Sequence, residues 1–158
     1  MFLESLLEAT QWAKTGLQPF ADDTQELYYS GFTAYQHWVS WLRTPASRLS
    51  SADEAVTYAH IVAETAYSRS MAPSFIRQGM RLLRSEADAA EMLESAADEY
   101  DQVAECFDEL ARMFPVQSPT LENLRKAARL VQQARTAERL GLAHITRALR
   151  SLDLVDDE

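Results

Sequence analysis

The sequence predicts an all-α protein, an antiparallel helical bundle of five or six helices. The 158 residues include only four glycines and five prolines, and no segment alternates apolar and polar residues with the period of two that marks a half-buried strand. Apolar residues recur instead at spacings of three and four, as on one face of a helix. We therefore expect a single helical-bundle domain over residues 1–152, followed by an acidic tail over residues 153–158.

The first two helices are bounded by glycine, proline and aspartate. A first helix is expected near residues 2–15, with Gly16 at its end. The pair Asp22-Asp23 supplies an N-cap for a second helix, which should run to about residue 42, ahead of a Thr-Pro step.

The next two helices are separated by a proline. Ser51 and Glu54 match a capping box for a third helix over about residues 52–69. Pro73 lies beyond its expected end and suits the first turn of a short fourth helix that runs through Leu83.

The last two helices are long. The fifth should cover about residues 86–113, because Pro115 stops it. Ser118 and Pro119 match the N-cap and first position of a sixth helix, which should continue to about Leu152.

The fifth helix carries an apolar seam at helical spacing: Leu93, Ala97, Tyr100, Ala104, Phe107, Ala111 and Phe114. Its acidic residues keep the same spacing two positions out of phase, so they should face solvent: Glu91, Glu94, Asp98, Asp101, Glu105 and Asp108. The sixth helix is rich in arginine, and opposite charges favour pairing of the two helices. Since exposed ion pairs contribute only about 0–1 kcal/mol each, the apolar seam must supply the stability.

Composition and charge exclude several classes of protein. With 47% hydrophobic residues the chain is too apolar to be disordered. Its net charge of −9 disfavours a nucleic-acid-binding protein, and the basic helix over residues 125–150 is the feature that keeps this class open. We expect no signal peptide, because Glu4 and Glu8 interrupt the first apolar residues, and no membrane span. The single cysteine, Cys106, is compatible with a cytoplasmic protein.

The stretch YYSGFTAYQHWVSW, residues 28–41, holds six of the fifteen aromatic side chains. Its apolar sector is wider than one partner helix covers, which favours a core helix contacted from two sides. An aromatic-lined pocket or an exposed protein-binding face remains open, with tyrosine hydroxyls and one histidine as its polar groups. The candidate ligand or interface residues are Tyr28, Phe32, Tyr35, His37, Trp38 and Trp41.

Two charged residues, Arg135 and Glu138, interrupt the apolar stripe of the sixth helix on one face. A charge on a core face must be paired or hydrogen-bonded. The two residues can pair with each other, or Glu138 can pair with Arg69, Arg77 or His60. Such pairs usually set the register of helices, but breaks in an apolar pattern also mark functional sites. The buried polar candidates are Arg69, Arg77, Arg135 and Glu138.

Neither metal nor cofactor chemistry is indicated. A bundle that binds two metal ions needs Glu-x-x-His pairs with inward-facing carboxylates, and the sequence contains no such pair. Glu105 and Glu109 lie near Cys106 and should raise the pKa of its thiol, which disfavours a nucleophile. We expect no metal and no cofactor.

Four segments together resemble the helical domain that follows the papain-like part in bacterial proteins of the butirosin-biosynthesis H type. They are SGFTAYQHWVSWL (30–42), RSMAPSFIR (69–77), ESAADEYDQVAECFDELARMFP (94–115) and ARTAERLGLAHITRAL (134–149). In that family acyl transfer is assigned to the papain-like part, and the cysteine here lies mid-helix without a matching histidine motif. The resemblance therefore implies an accessory helical domain that packs against a partner or holds a small ligand, with no catalytic residue carried over.

The sequence favours a non-catalytic module for protein interaction, including self-association, or for binding a small apolar or aromatic ligand. We expect a homo-oligomer or a protein partner, and neither nucleic acid nor membrane. The alternative is a small helical enzyme that uses Glu138 or His37, together with Tyr35, as acid or base in a bundle pocket.

Overall fold

The computed structural model describes residues 1–14, 17–19, 27–44, 52–83, 85–114 and 120–155. The all-α prediction is confirmed, since five helices make up most of the described chain: α1 (Phe2–Lys14), α2 (Gly31–Arg43), α3 (Ala52–Met80), α4 (Ala87–Met113) and α5 (Leu121–Ser151). Two short strands, β1 (Leu17–Pro19) and β2 (Leu27–Tyr29), pair antiparallel between α1 and α2. None of these helices is long and apolar enough to cross a bilayer, as judged over the described residues.

Helix α4 packs between α3 and α5. Lys126 near the start of α5 pairs with Glu109 near the end of α4 at 2.6 Å, whereas Gly141 farther along α5 lies against Tyr100. Positions thus rise along one helix as they fall along the other, and the two helices run in opposite directions. The predicted seam of α4 faces this core, with its larger members fully or almost fully buried: Leu93, Tyr100, Phe107 and Phe114. Each such side chain contributes roughly 1.5–3 kcal/mol, which outweighs an exposed ion pair.

The predicted helix boundary at Pro73 is wrong. Helix α3 runs without interruption from Ala52 to Met80, and Pro73 lies buried inside it. Proline has no N–H to donate to the carbonyl of Arg69 one turn earlier, a defect that costs about 3 kcal/mol in a helix interior. Core residues on both sides of the proline, including Val62 and Ile76, are buried. Packing of both halves against the core offsets the local cost.

The second helix begins later than the sequence suggested. Residues 27–29 form β2, and α2 starts at Gly31 with Ser30 as its N-cap. Gly31 has a φ of 54°, in the left-handed region that favours glycine, so the chain changes direction here. The proposed caps Asp22 and Asp23 lie outside the described residues.

The remaining boundaries agree closely with prediction. Helix α4 matches its expected range, and α5 ends one residue before the expected position. The N-cap of α5 is Thr120, whose hydroxyl accepts a hydrogen bond from the amide of Asn123 at 3.2 Å. Ser118 and Pro119, which were expected to begin this helix, lie outside the described residues, as does the end of the acidic tail, residues 156–158.

Helix α1 packs against α2 and α5 and also reaches α3 through one ring. The Phe2 ring lies 5.3 Å from that of Phe75, centroid to centroid, and covers Gly79. A Cβ at Gly79 would lie 2.0 Å from a Phe2 ring atom. Glycine at this position therefore lets the first turn of α1 dock on α3.

We expect Gly79→Ala to destabilise the chain by about 1 kcal/mol, because the Phe2 ring must leave its site. In a Phe2→Ala background the same substitution should instead stabilise by about 0.5 kcal/mol, since alanine is the better helix former. Urea unfolding of the four chains measures both effects. Equal effects in the two backgrounds would contradict this packing.

Candidate small-molecule pocket

A cavity of about 450 Å³ lies among the five helices. Its wall is mainly apolar and aromatic, and every helix contributes to it. The larger apolar contributors are Leu6, Phe32, Trp38, Phe75, Phe107 and Ile145. The volume falls in the range of sites that enclose small molecules.

Polar contacts in this cavity centre on Glu138, which α5 places on the core face and which is 8% exposed. The Tyr35 hydroxyl of α2 donates a hydrogen bond to Oε2 of this carboxylate. Arg69 Nη2 of α3 lies 3.3 Å from Oε1. The two carboxylate oxygens thus have partners on two different helices, and the contact ties α2, α3 and α5 together.

Among the partners that the sequence offered for Glu138, the structure selects Arg69. His60 pairs instead with Glu64 of its own helix at 3.1 Å, and both side chains are about 70% exposed. Arg135 is half-buried and its Nε has no hydrogen-bond partner among the described residues. It does not line the cavity, as far as the described residues define the lining.

Arg77 is half-buried at the contact between α3 and α4 and is not among the described residues that line the cavity. It pairs with Glu94, Asp98 and Asp101 of α4 at 3.0, 2.6 and 2.8 Å. Hydrogen bonds to Glu94 and Asp101 raise its pKa above the ordinary value. Arg77 therefore binds the acidic residues of α4 and not Glu138, and part of the acidic face of α4 contacts α3 although the sequence predicted that it faces solvent.

The surroundings of Glu138 fix the protonation states of its neighbours. Burial, and then the Glu138 charge, raise the pKa of Tyr35 and of Tyr100 well above the ordinary tyrosine value. Burial alone would lower the pKa of Arg69, but Glu138 and Tyr35 reverse this and leave it raised. At neutral pH both tyrosines are uncharged and can donate a proton to a hydrogen bond, and Arg69 is a cation.

The aromatic stretch serves both the core and the cavity. Phe32, Tyr35 and Trp38 line the cavity, and the Trp38 indole N–H donates to the hydroxyl of Tyr58 at 3.0 Å. Trp41 is 39% exposed and its ring stacks at 5.4 Å from Tyr58.

Two members of the stretch do not join the cavity lining. His37 is exposed and is not among the described lining residues. Tyr28 belongs to β2, and its side chain lies outside the described part of the molecule.

Sequence reasoning missed two residues of the cavity lining and one residue that supports it. Tyr58 is not among the described lining residues but accepts the hydrogen bond of Trp38, and its place on the same face of α3 as Val62 and Arg69 could have identified it. Tyr100 was assigned to the core seam, but it also lines the cavity. Trp12 of α1 also lines the cavity. It could not be predicted, because the spacing of apolar residues in α1 is the same for a pocket wall and for a core face.

The thiol of Cys106 has the raised pKa that the sequence predicts. Burial, followed by the charges of Glu105 and Glu109, raises the pKa of the half-buried Cys106 thiol. Within the described residues, no three histidine, cysteine or acidic side chains are grouped so that they could hold a metal ion.

Comparison with known proteins finds no matching family model, curated protein or solved structure. The resemblance to the helical domain of butirosin-biosynthesis H type proteins stays a prediction. The geometry of the cavity is therefore the basis for a functional proposal.

We expect Tyr35→Phe to destabilise the chain by about 1.5–3 kcal/mol, because a buried carboxylate oxygen loses its hydrogen-bond donor. The matched control is Tyr67→Phe on the exposed side of α3, which should change stability by no more than about 0.5 kcal/mol. Urea unfolding with unchanged m-values provides the comparison. Similar small effects of both substitutions would rule out a structural role for the Tyr35–Glu138 bond.

Proposed function

We propose that this chain is a non-catalytic helical module that binds one small molecule in the cavity between its helices. The observation that carries the proposal is a cavity of about 450 Å³ with an apolar wall and a polar cluster formed by Tyr35, Arg69 and Glu138. Small-molecule sites commonly combine an apolar lining with a few placed polar groups that orient the ligand.

The position of the polar cluster supports binding over a purely structural role. An ion pair that only set helix register could lie between closely packed side chains, whereas Arg69 and Glu138 both border open space. About 35% of the Arg69 side chain remains exposed, so part of its guanidinium can reach a ligand.

We further propose that the helices form an antiparallel bundle, and that the protein works in the cytoplasm.

Two observations disfavour the acid–base enzyme that was the alternative. His37 is exposed and is not among the described residues that line the cavity, so the second proposed catalytic group is not brought to Glu138. The raised pKa of Tyr35 keeps its hydroxyl protonated at neutral pH, which disfavours a role as a base.

Self-association is a second candidate function, favoured by one exposed face of α3. Tyr67, Met71 and Phe75 follow one another at intervals of four residues, and each is 44% exposed or more. A row of large apolar side chains on one helix face suits contact with a second copy of the chain.

Binding in the cavity can be tested with the uncharged dye N-phenylnaphthylamine, which fluoresces in apolar surroundings. We expect Ala72→Trp to weaken its binding about tenfold or more, because the new ring occupies the cavity that Ala72 lines. Ala63→Trp, on the exposed side of the same helix, should leave the affinity unchanged. If the dye does not bind, or binds all three folded chains equally, the proposal fails.

Self-association can be tested by native mass spectrometry of the purified chain. The expected result is a dimer that Met71→Glu dissociates, since the substitution would place a charge on the apolar face. A wild-type monomer, or a dimer that survives the substitution, would contradict this second candidate.

A further inference from the structure

The polar groups of the cavity form one cluster, and the rest of the polar lining is already satisfied. Tyr100 interacts electrostatically with both Glu138 and Arg69, so its hydroxyl belongs to the same region as the Tyr35–Glu138 bond. The hydroxyls of Thr65 and Ser68, by contrast, donate to backbone carbonyls of their own helix at 2.8 and 2.9 Å. A bound molecule would therefore meet an apolar wall over most of its surface and a polar cluster in one place.

The charges of this cluster balance. Glu138 and Arg69 carry opposite unit charges 3.3 Å apart, and they are the only charged side chains of the lining among the described residues. An ionic ligand would add a charge without a partner in largely apolar surroundings, which is unfavourable. An uncharged ligand leaves the balance intact.

The cluster contains hydrogen-bond donors that have no partner among the described residues. The Glu138 carboxylate accepts a hydrogen bond from Tyr35 through one oxygen and forms an ion pair with Arg69 through the other. The Tyr100 hydroxyl has no hydrogen-bond partner among the described residues, and neither has the buried Nε–H of Arg69, whose Nη2 lies against the carboxylate. The raised pKa of Tyr100 keeps its proton in place for donation.

We infer that the ligand is an uncharged, mainly aromatic or aliphatic molecule with a hydrogen-bond acceptor, such as a carbonyl or ether oxygen, that faces Tyr100 and Arg69. The inference rests on the proposed function and adds the chemical class of the ligand. The apolar part of the ligand lies against the wall that α1, α2 and α5 form. Its acceptor atom faces the donors Arg69 of α3 and Tyr100 of α4.

The charge of the ligand can be tested with two dyes that share one ring system. N-phenylnaphthylamine is uncharged, and anilinonaphthalene sulfonate adds a single negative charge. We expect the wild-type chain to bind the uncharged dye at least about tenfold more tightly, with both signals measured by fluorescence titration. This ratio needs no variant, so it decides the question whether or not any substitution folds.

A substitution of Glu138 tests whether the affinity ratio of the two dyes depends on the polar cluster. Glu138→Gln removes the negative charge and leaves Arg69 without its counter-ion, so the preference for the uncharged dye should fall about tenfold or more. Glu105→Gln on the exposed face of α4 changes the net charge equally and should leave the ratio as it is. Circular dichroism confirms that both variants are folded.

The acceptor can be tested with prodan, an uncharged dye whose carbonyl emits at longer wavelength when it accepts a hydrogen bond. Tyr100→Phe should shift the emission of the bound dye to shorter wavelength and weaken binding about threefold to tenfold. Tyr67→Phe is the exposed control. An unchanged emission in Tyr100→Phe would overturn the assignment of the acceptor to this donor.

Failure of the inference differs from failure of the proposed function. If the sulfonated dye binds as tightly as the uncharged one, and Ala72→Trp removes both signals, the cavity binds small molecules and the inferred ligand class is wrong. If Ala72→Trp removes neither signal, the dyes do not occupy the cavity, and both the function and the inference are overturned. A tenfold preference that depends on Ala72 and Glu138 supports both.

Discussion

The burial of one carboxylate constrains much of this structure. Glu138 lies on the core face of α5, where an unpaired charge would cost several kcal/mol, so other elements must supply its partners. Tyr35 and Arg69 meet this requirement from α2 and α3, and they do so only if the three helices keep their register. The contact thus selects one arrangement of helices whose apolar faces alone would tolerate several.

The same constraint helps to explain why a cavity remains beside the cluster. Apolar side chains can shift to close part of a void, but a hydrogen-bonded charge network needs its particular geometry and resists such shifts. Around Glu138 the helices are separated by the lengths of the tyrosine and arginine side chains. Aromatic residues such as Trp38 and Phe107 line the resulting space, and α1 forms part of its wall.

Local patterns in the sequence were sufficient to find much of the fold and part of the site. The break at Glu138 identified the central residue, because a charge within an apolar stripe can be recognised without knowing its neighbours. The choice of Arg69 over Arg77 could not be predicted, since both lie on α3 and only the packing of α3 on α4 gives Arg77 its three carboxylates. The helix boundary at Pro73 was wrongly predicted for the same reason. The sequence shows the cost of a proline inside a helix, whereas the burial that offsets this cost depends on distant residues. The left-handed backbone of Gly31, which ends one element and begins the next, shows only in three dimensions.

Pro73 has a mechanical consequence for the cavity. The turn between Arg69 and Pro73 lacks one backbone hydrogen bond, so α3 bends more easily there than at a turn with all its hydrogen bonds. The two halves of the helix are anchored independently, one through the Tyr58 ring on Phe114 and the other through the carboxylates that hold Arg77. A small change in angle between those anchors moves the guanidinium of Arg69 while both ends of the helix stay in place. The proline thus makes the part of the cavity wall that α3 forms easier to deform.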